Sequence, residues 1–458
     1  MDQRFDKLID QLRARRIDRR SFMVRAAALG LSGAAIAAGL NRAGGASAQD
    51  ATPGASPAAG TKATDIGAPG IPHITDTSKG TIKLYSSWPL TGTYDQIGGD
   101  AVEAVNMALE DYGNAAGGYA LVYEALDDGT AANNGGWDPA VETENANRVI
   151  NDPEAMVYLA TYNSGAAKIS IPLMNAVPMA MISYANTYPG LTKAIPDATE
   201  EGEPDVYYPS GTRNYMRTVP ADDIQGSAGA NWAFNKQGRR KAYILHDNSL
   251  YGQGVARVFQ LTFERLGGEI LGFDGYDEAA PDYQSLMTSI ADLGPDILYC
   301  GATVDNNASK LIQDMRGLMA VEDVIFLGPD GLINQAFIDG AGGVAAGAYL
   351  TFAGFPPSAL QGAGADYAAR ITERLGHPPD SYAVYAYECV AVVVQAIDKA
   401  GVNDRAAILE AMLATEGFNS LLGGSWSFTE TGDTDALTMS VSIVENDDFK
   451  FLENIGSI

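Results

Sequence analysis

The chain has 458 residues and a formal net charge of −27, from 57 acidic and 30 basic residues. This charge disfavours nucleic acid and anionic membrane surfaces as partners, because it repels phosphate groups. Apolar residues make up 46% of the chain, which is enough to form cores, and the length favours two domains.

The amino terminus has the three parts of an export signal. Arg19 and Arg20 form a twin-arginine pair, an apolar run follows over 26–40, and residues 46–48 (Ala-Ser-Ala) resemble a signal-peptidase site. Paired arginines are typical of the Tat route, so residues 1–48 are predicted to be a Tat signal peptide. The protein is then periplasmic or extracellular, and cleavage would make its net charge −32. An uncut signal that tethers the protein is the alternative, although the run is shorter than the roughly 20 residues that span a bilayer.

Residues 49–80 are rich in Ala, Pro, Gly, Thr and Ser, which predicts a flexible linker. From Thr81 onward, short apolar strands alternate with helices of about ten or more residues, a pattern typical of βαβ units and a parallel sheet. In this first α/β block the predicted strands are 82–85, 120–126, 156–160 and 178–183, and the predicted helices are 100–112, 139–150 and 166–174.

The segment 190–213 interrupts the alternation with three prolines and an acidic cluster, which predicts a long surface loop. The alternation resumes at 215–219. The second block then has predicted strands at 242–245, 269–273, 297–300 and 324–327, and predicted helices at 223–234, 254–266, 283–293 and 308–318. Beyond residue 347 we expect a strand, two long helices over 366–375 and 382–400, and a β-like tail.

Signals for catalysis, metal or cofactor binding are weak. Cys300 and Cys389 each lie in an apolar segment, so we expect buried thiols rather than metal ligands. His246 ends a predicted strand, but neither a G-x-S-x-G nor an H-E-x-x-H motif accompanies it. The sequence therefore predicts no enzyme, no cofactor and no metal, with an exported hydrolase that uses His246 as the alternative.

Ligands of parallel α/β sheets bind outside the carboxyl ends of the strands, so the loops there are the candidate site. In the first block these loops contain hydroxyls, an amide and a predicted helix start, which suit a carboxylate. In the second block Asp330 suits an ammonium group, and Tyr162, Tyr188 and Tyr251 could wall the gap. Together these loops suit an α-amino acid, although each loop alone is equally typical of an ordinary turn or helix cap.

Four motifs in order resemble those of the leucine/isoleucine/valine-binding protein family: Trp88-Pro89-Leu90-Thr91-Gly92, Tyr162-Asn163-Ser164-Gly165, His246-Asp247 with Tyr251-Gly252, and Gly328-Pro329-Asp330-Gly331. The resemblance runs from about Thr81 to the end of the chain. It implies the type I periplasmic binding fold, with two Rossmann-like lobes of parallel sheet joined by a three-strand hinge. Lobe I would comprise 81–219 and 351–433, and lobe II would comprise 220–350 and 434–458.

The resemblance also implies a ligand site in the cleft between the lobes. Asn163 and Ser164 would bind the carboxylate, and Asp330 would bind the ammonium group. Two positions depart from the family, since Ile97 and Thr303 stand where aromatic residues are common. The full implied set is Tyr162, Asn163, Ser164, Ala185, Asn186, Thr187, Tyr251, Thr303 and Asp330.

The function implied is that of a solute-binding protein that delivers a branched-chain type amino acid to an ABC transporter permease in the membrane. We expect the binding protein to be a monomer. The alternatives are a binder of another small polar solute, such as an amide, a urea-like compound or an aromatic acid, or a sensory binding subunit.

Overall fold

Two separate, mostly parallel β-sheets divide the body of the protein into two lobes. The computed structural model describes residues 66–456, and the predicted signal peptide lies outside them. Each sheet is flanked by helices from the intervening segments, as the βα alternation predicts. Within the described residues, no helix has the length and apolar character needed to cross a bilayer.

The sheet of lobe I has six strands in the order β2-β3-β1-β4-β5-β6. All neighbours are parallel except β2, which pairs antiparallel with β3. The central strands β4 and β5 are buried along their whole length, since helices cover both faces of a parallel sheet. The strands are β1 (Thr81–Ser87), β2 (Ala115–Ala116), β3 (Tyr119–Leu126), β4 (Ala155–Ala160), β5 (Ala180–Ser183) and β6 (Tyr215–Arg217).

The sheet of lobe II has seven strands in the order β15-β14-β11-β10-β9-β7-β8, with β14 and β15 antiparallel at one edge. These strands are β7 (Lys241–His246), β8 (Glu269–Gly275), β9 (Ile297–Gly301), β10 (Ile325–Gly328), β11 (Tyr349–Ala353), β14 (Met439–Glu445) and β15 (Asp448–Asn454). A short antiparallel pair precedes the last hairpin, formed by β12 (Phe418–Asn419) and β13 (Ser425–Trp426).

Eleven α-helices are found among residues 66–456. The sequence analysis predicted most of them to within a few residues but missed α8 and α11. They are α1 (Asp95–Asp111), α2 (Pro139–Asn151), α3 (Ser164–Asn175), α4 (Asp222–Asn231), α5 (Leu250–Arg265), α6 (Gln284–Leu293), α7 (Ala308–Arg316), α8 (Gln335–Ala341), α9 (Ala363–Leu375), α10 (Ala383–Ala400) and α11 (Arg405–Leu413).

Three crossovers join the lobes: after β6, after β11 and near residue 433. Because β11 pairs with β14 as far as Ala353, the second crossover begins at residue 354 rather than at the predicted 351. A buried ion pair ties the other two crossovers together. Arg217 Nε donates to Asp433 Oδ1 at 2.6 Å, and this charge holds the pKa of the buried Asp433 below its usual range.

The predicted flexible linker is wrong for its described part, residues 66–80. Ile66 is buried, and Gly67 pairs with Asn419 through two backbone hydrogen bonds of 3.0 Å. His73 Nδ1 lies 2.8 Å from Asp398 Oδ2. This segment is therefore anchored to lobe I by contacts with residues more than 300 positions away, which composition alone does not reveal.

The predicted surface loop over 190–213 is also wrong in part. Leu191, Tyr207 and Tyr208 are buried in a core cluster of lobe I. The carboxylate of Glu203 is buried as well and accepts hydrogen bonds from Tyr207 OH and from Tyr188 OH, the latter at 2.7 Å. Buried hydrogen bonds of Glu203 thus hold the segment 190–213 in place. Glu200 and Glu201, in the same acidic cluster, are exposed.

Both cysteines, Cys300 and Cys389, are buried free thiols, as the apolar segments around them predicted. Burial raises the pKa of Cys389 to about 12 and that of Cys300 further, so neither is a reactive thiolate.

Candidate ligand-binding site

A cavity of about 860 Å³ lies between the two lobes. Lobe I contributes Trp137, Asn163 and Ser164 to its wall, and lobe II contributes Tyr251 and Thr303. The volume falls within the range of roughly 300–1,000 Å³ that is typical of small-molecule sites. The structure therefore brings four of the nine predicted site residues to one void.

On the lobe I side, the cavity meets the start of helix α3. Asn163 occupies the N-cap position but its side chain does not cap the helix, and its buried Oδ1 has no hydrogen-bond partner among the described residues. Ser164 is the first helical residue. Free amide N–H groups and the helix dipole make this end favourable for an anion such as a carboxylate.

The predicted contact strip 185–187 lies deeper than expected. The side chain of Asn186 is fully buried and committed within lobe I, where Nδ2 donates to the carbonyl of Tyr162 at 2.8 Å and Oδ1 accepts from Tyr215 OH at 3.0 Å. Its side-chain amide is therefore satisfied within lobe I, and a ligand contact by Asn186 stays a prediction. Ala185 and Thr187 are also buried behind the cavity wall, and the carbonyl of Thr187 accepts from the amide of Asp222 at 2.8 Å.

On the lobe II side, Asp330 lies behind Tyr251. Its Oδ1 accepts a hydrogen bond from Tyr251 OH and another from the Gly331 amide at 3.1 Å. Its Oδ2 accepts one from Tyr382 OH, which belongs to lobe I. The acid predicted to bind ammonium is thus buried and held by two tyrosines, one from each lobe.

A second buried acid, Asp222, stands near Asp330 and was not predicted. Burial raises the pKa of Asp222 well above its usual range, and the charge of Asp330 raises it further. Burial also raises the pKa of Asp330, against the opposing hydrogen bonds from Tyr251 and Tyr382. Neither carboxylate oxygen of Asp222 has a hydrogen-bond partner of good geometry among residues 66–456. The charge of Arg217 opposes the rise in the pKa of Asp222, and two neighbouring buried carboxyls also favour a further cationic group beside them.

Thr303 is held against the cavity by Asp247. The Asp247 Oδ2 atom accepts from the Thr303 amide at 3.0 Å and from Asn306 Nδ2 at 2.7 Å. Glu278 and Asp305 line the same side of the cavity. Burial raises the pKa of both groups. Their carboxyl side chains make the lobe II wall acidic and polar.

Buried tyrosine rings cluster around Tyr162, the residue before Asn163. The ring of Tyr162 contacts the rings of Tyr94, Tyr184 and Tyr382 at centroid separations of 5.4–6.2 Å. Burial raises the pKa of each of these phenols, so all four remain neutral hydrogen-bond donors. Tyr382 and Tyr94 were missed from sequence because each lies at the start of a helix with an apolar face, where an aromatic residue is typical of the core.

His246, the alternative catalytic residue, does not line the cavity. Its ring packs against Phe273 at 5.0 Å, and its Nδ1 accepts from the Asn248 amide at 3.2 Å. These contacts give it a role in the turn after β7.

A family model described as periplasmic binding protein matches residues 81–448, most of the chain. The chain belongs to the periplasmic binding protein family. The family consists of solute-binding proteins that act outside the cytoplasm, and the resemblance seen in the motifs is confirmed. The four motifs therefore identified the family correctly.

Curated relatives of this periplasmic binding protein cover most of its length. It is 27% identical over 349 residues to Leu/Ile/Val-binding protein homolog 1 of Brucella abortus (strain 2308), covering 75% of this chain and 85% of the relative. It is 25% identical over 357 residues to a leucine-, isoleucine-, valine-, threonine- and alanine-binding protein of Pseudomonas aeruginosa, covering 77% and 87%.

Solved structures show the same fold. A leucine-binding protein from Thermotoga maritima MSB8 aligns with a TM-score of 0.71 at 21% identity, covering 82% of this chain and 98% of that chain. A solute-binding protein of an ABC transporter from R. palustris, in complex with benzoate, aligns with a TM-score of 0.67 at 19% identity, covering 82% and 97%. The two-lobed α/β architecture is thereby established, and at this identity the likeness concerns the fold alone.

Proposed function

We propose that this periplasmic binding protein binds an α-amino acid in the cleft between its lobes and delivers it to an ABC transporter permease. The observation that supports this proposal is the polarity of the cleft. A helix start with an unpartnered Asn163 lies on one side, and the buried pair Asp222 and Asp330 lies on the other. An amino acid has the carboxylate and the ammonium group that these two ends favour.

The lining also bears on the side chain of the amino acid. Around the cavity stand Asn134, Glu278, Asp305 and Asn306, so a large part of the wall is polar. A branched-chain amino acid would place an apolar side chain against this polar wall. We therefore propose amino acids with polar side chains as a second candidate class beside leucine, isoleucine and valine.

A thermal-shift and calorimetry panel tests the proposal. We expect at least one of leucine, valine, glutamine and lysine to raise the melting temperature of the protein by mass action. Benzoate and acetamide should leave the melting temperature unchanged. Benzoate lacks the ammonium group, so a shift with benzoate and none with any amino acid would favour the aromatic-acid alternative.

The Asp330→Asn variant tests the ammonium end. It should weaken amino-acid binding by about 1.5–3 kcal/mol, the range for a hydrogen bond to a charged group. Asp314→Asn is the matched control, because Asp314 is a buried acid of lobe II that accepts from the Tyr283 amide at 2.6 Å and does not line the cavity. Equal affinities of the Asp330 variant and the wild type would remove Asp330 from the site.

We further propose export by the Tat route, which rests on the twin arginines and the apolar run that follows them. Replacing Arg19 and Arg20 by lysine should leave precursor in the cytoplasm of an expressing bacterium. Normal export of that variant would assign the signal to the general secretory route.

A further inference from the structure

Besides the Tyr382–Asp330 bond, a second direct hydrogen bond joins the two lobes near the cavity. Tyr94 belongs to lobe I, at the end of the short helix Gly92–Tyr94, and is buried. Its OH donates to Asp305 Oδ1, in the loop after β9 of lobe II, at 2.5 Å. Because Tyr94 and Asp305 belong to different lobes, this bond is made when the lobes are closed together and is lost when they rotate apart.

Both halves of the contact are prepared within their own lobes. In lobe I, the Tyr94 segment is tied to the neighbouring loop, where the Thr93 amide donates to the Asn134 carbonyl at 3.2 Å and Asn134 Nδ2 donates to Thr93 Oγ1 at 2.9 Å. In lobe II, the same Asp247 that holds Thr303 and Asn306 fixes the residues on either side of Asp305. Each half is thus held by hydrogen bonds within its own lobe.

The lobe I loop also leaves space for the carboxylate of Asp305. A Cβ atom added to Gly136 would lie 2.6 Å from Asp305 Oδ2 and 3.0 Å from the Asn133 carbonyl oxygen of its own lobe, so the Asp305 side chain would have to move away. The absence of a side chain at Gly136 lets the two lobes meet at this point. In an open form, with the lobes rotated apart, a Cβ atom at position 136 would contact no atom of lobe II.

We propose that the Tyr94–Asp305 contact is a closure contact that holds part of the ligand-free protein shut and so sets its apparent affinity for ligand. A bond made only in the closed state raises the closed population before ligand arrives. The apparent dissociation constant equals the intrinsic dissociation constant divided by the fraction of protein that is in the binding-competent closed state. A contact that raises this fraction therefore tightens binding although it makes no contact with the ligand.

The test measures lobe closure without ligand, so its failure is separate from failure of the proposed amino-acid function. Spin labels placed on Asn151→Cys in lobe I and Asp292→Cys in lobe II, both exposed, report the interlobe distance. The native cysteines are buried and stay unlabelled. The ligand-free protein should show two distance populations, and Tyr94→Phe should lower the closed-to-open ratio about tenfold, as expected for one hydrogen bond to a charged group.

Two further variants make the result decisive. Gly136→Ala should also shift the population towards the open distance, through a steric rather than a hydrogen-bonding effect. Tyr85→Phe removes a tyrosine–aspartate bond of 2.7 Å to Asp152 that lies wholly within lobe I, and it should leave the distribution unchanged. A single open population in the unsubstituted protein, or equal closed fractions in the Tyr94 and Gly136 variants and the unsubstituted protein, would overturn the proposal.

Discussion

A buried glutamate in lobe I makes the stability of the protein depend on pH. Glu142, in the first turn of α2, is fully buried and accepts hydrogen bonds from Ser87 Oγ at 2.5 Å, Tyr158 OH at 2.9 Å and Ser170 Oγ. These bonds favour the ionised form, but burial outweighs them and raises the pKa of Glu142 from 4.5 to about 7. Its neighbour Asp128 is buried without a hydrogen-bond partner for either oxygen among the described residues.

The direction of the effect follows from the proton balance. Between pH 4.5 and 7 the unfolded chain loses the Glu142 proton while the folded protein keeps it. The stabilisation from this group is therefore fully present below pH 4.5 and is lost as the pH rises through 7. A pKa difference of this size corresponds to about 3 kcal/mol at 1.36 kcal/mol for each pH unit.

The Glu142→Gln variant removes the titrating group and keeps the shape of the side chain. Urea unfolding followed by circular dichroism should show the variant gaining about 3 kcal/mol relative to wild type between pH 4.5 and pH 8. Glu410→Gln, on the exposed face of α11, serves as the control and should show no such gain. A stability difference between Glu142→Gln and wild type that stays constant over this range would refute the reasoning.

Three other outcomes follow from buried groups. Asp433→Ala should lower the free energy of unfolding by about 3–5 kcal/mol in urea titrations, because it leaves Arg217 buried without its counter-charge. Amino-acid binding should release protons over the pH range in which Asp222 and Asp330 are protonated in the ligand-free protein, seen as buffer-dependent heats in calorimetry. An ammonium group lowers their raised pKa values, so affinity should rise with pH. Removing 66–80 should lower the melting temperature by about 5 °C, since lobe I loses a buried residue and several hydrogen bonds.

Much of the fold could be predicted because the hydrophobic pattern is local. Strands β1, β3 and β4 and helix α2 were predicted within about two residues, since short apolar runs and helical spacing appear directly in the sequence. Four loop residues of the predicted site, Asn163, Ser164, Tyr251 and Thr303, line one cavity because parallel strands bring their carboxyl-end loops to one edge. Their contact with a ligand stays a prediction.

The remaining features depend on contacts between distant residues. Asp222 lies two residues after Pro220 and is the first residue of a helix. From the sequence it is typical of an acid at a helix N-terminus, and nothing there indicates its position near Asp330. Asn186 stands in a polar loop like a ligand donor, but Tyr215 and the Tyr162 carbonyl satisfy its amide inside lobe I. Hydrogen bonding of a buried amide is decided by tertiary neighbours, which a pattern of residue types does not contain.

The strip 186–188 behind the cavity is joined to the hinge by short hydrogen bonds. Arg217 donates to the carbonyls of Asn186 at 3.1 Å and Tyr188 at 2.9 Å while its Nε binds Asp433 at the third crossover. The Thr187 carbonyl between them accepts from the amide of Asp222, at the start of lobe II. The backbone behind the cavity is therefore bonded directly to the hinge at Arg217 and to Asp222 at the start of lobe II. A rotation of the lobes acts on this strip through those hydrogen bonds, and no separate relay between hinge and strip is needed.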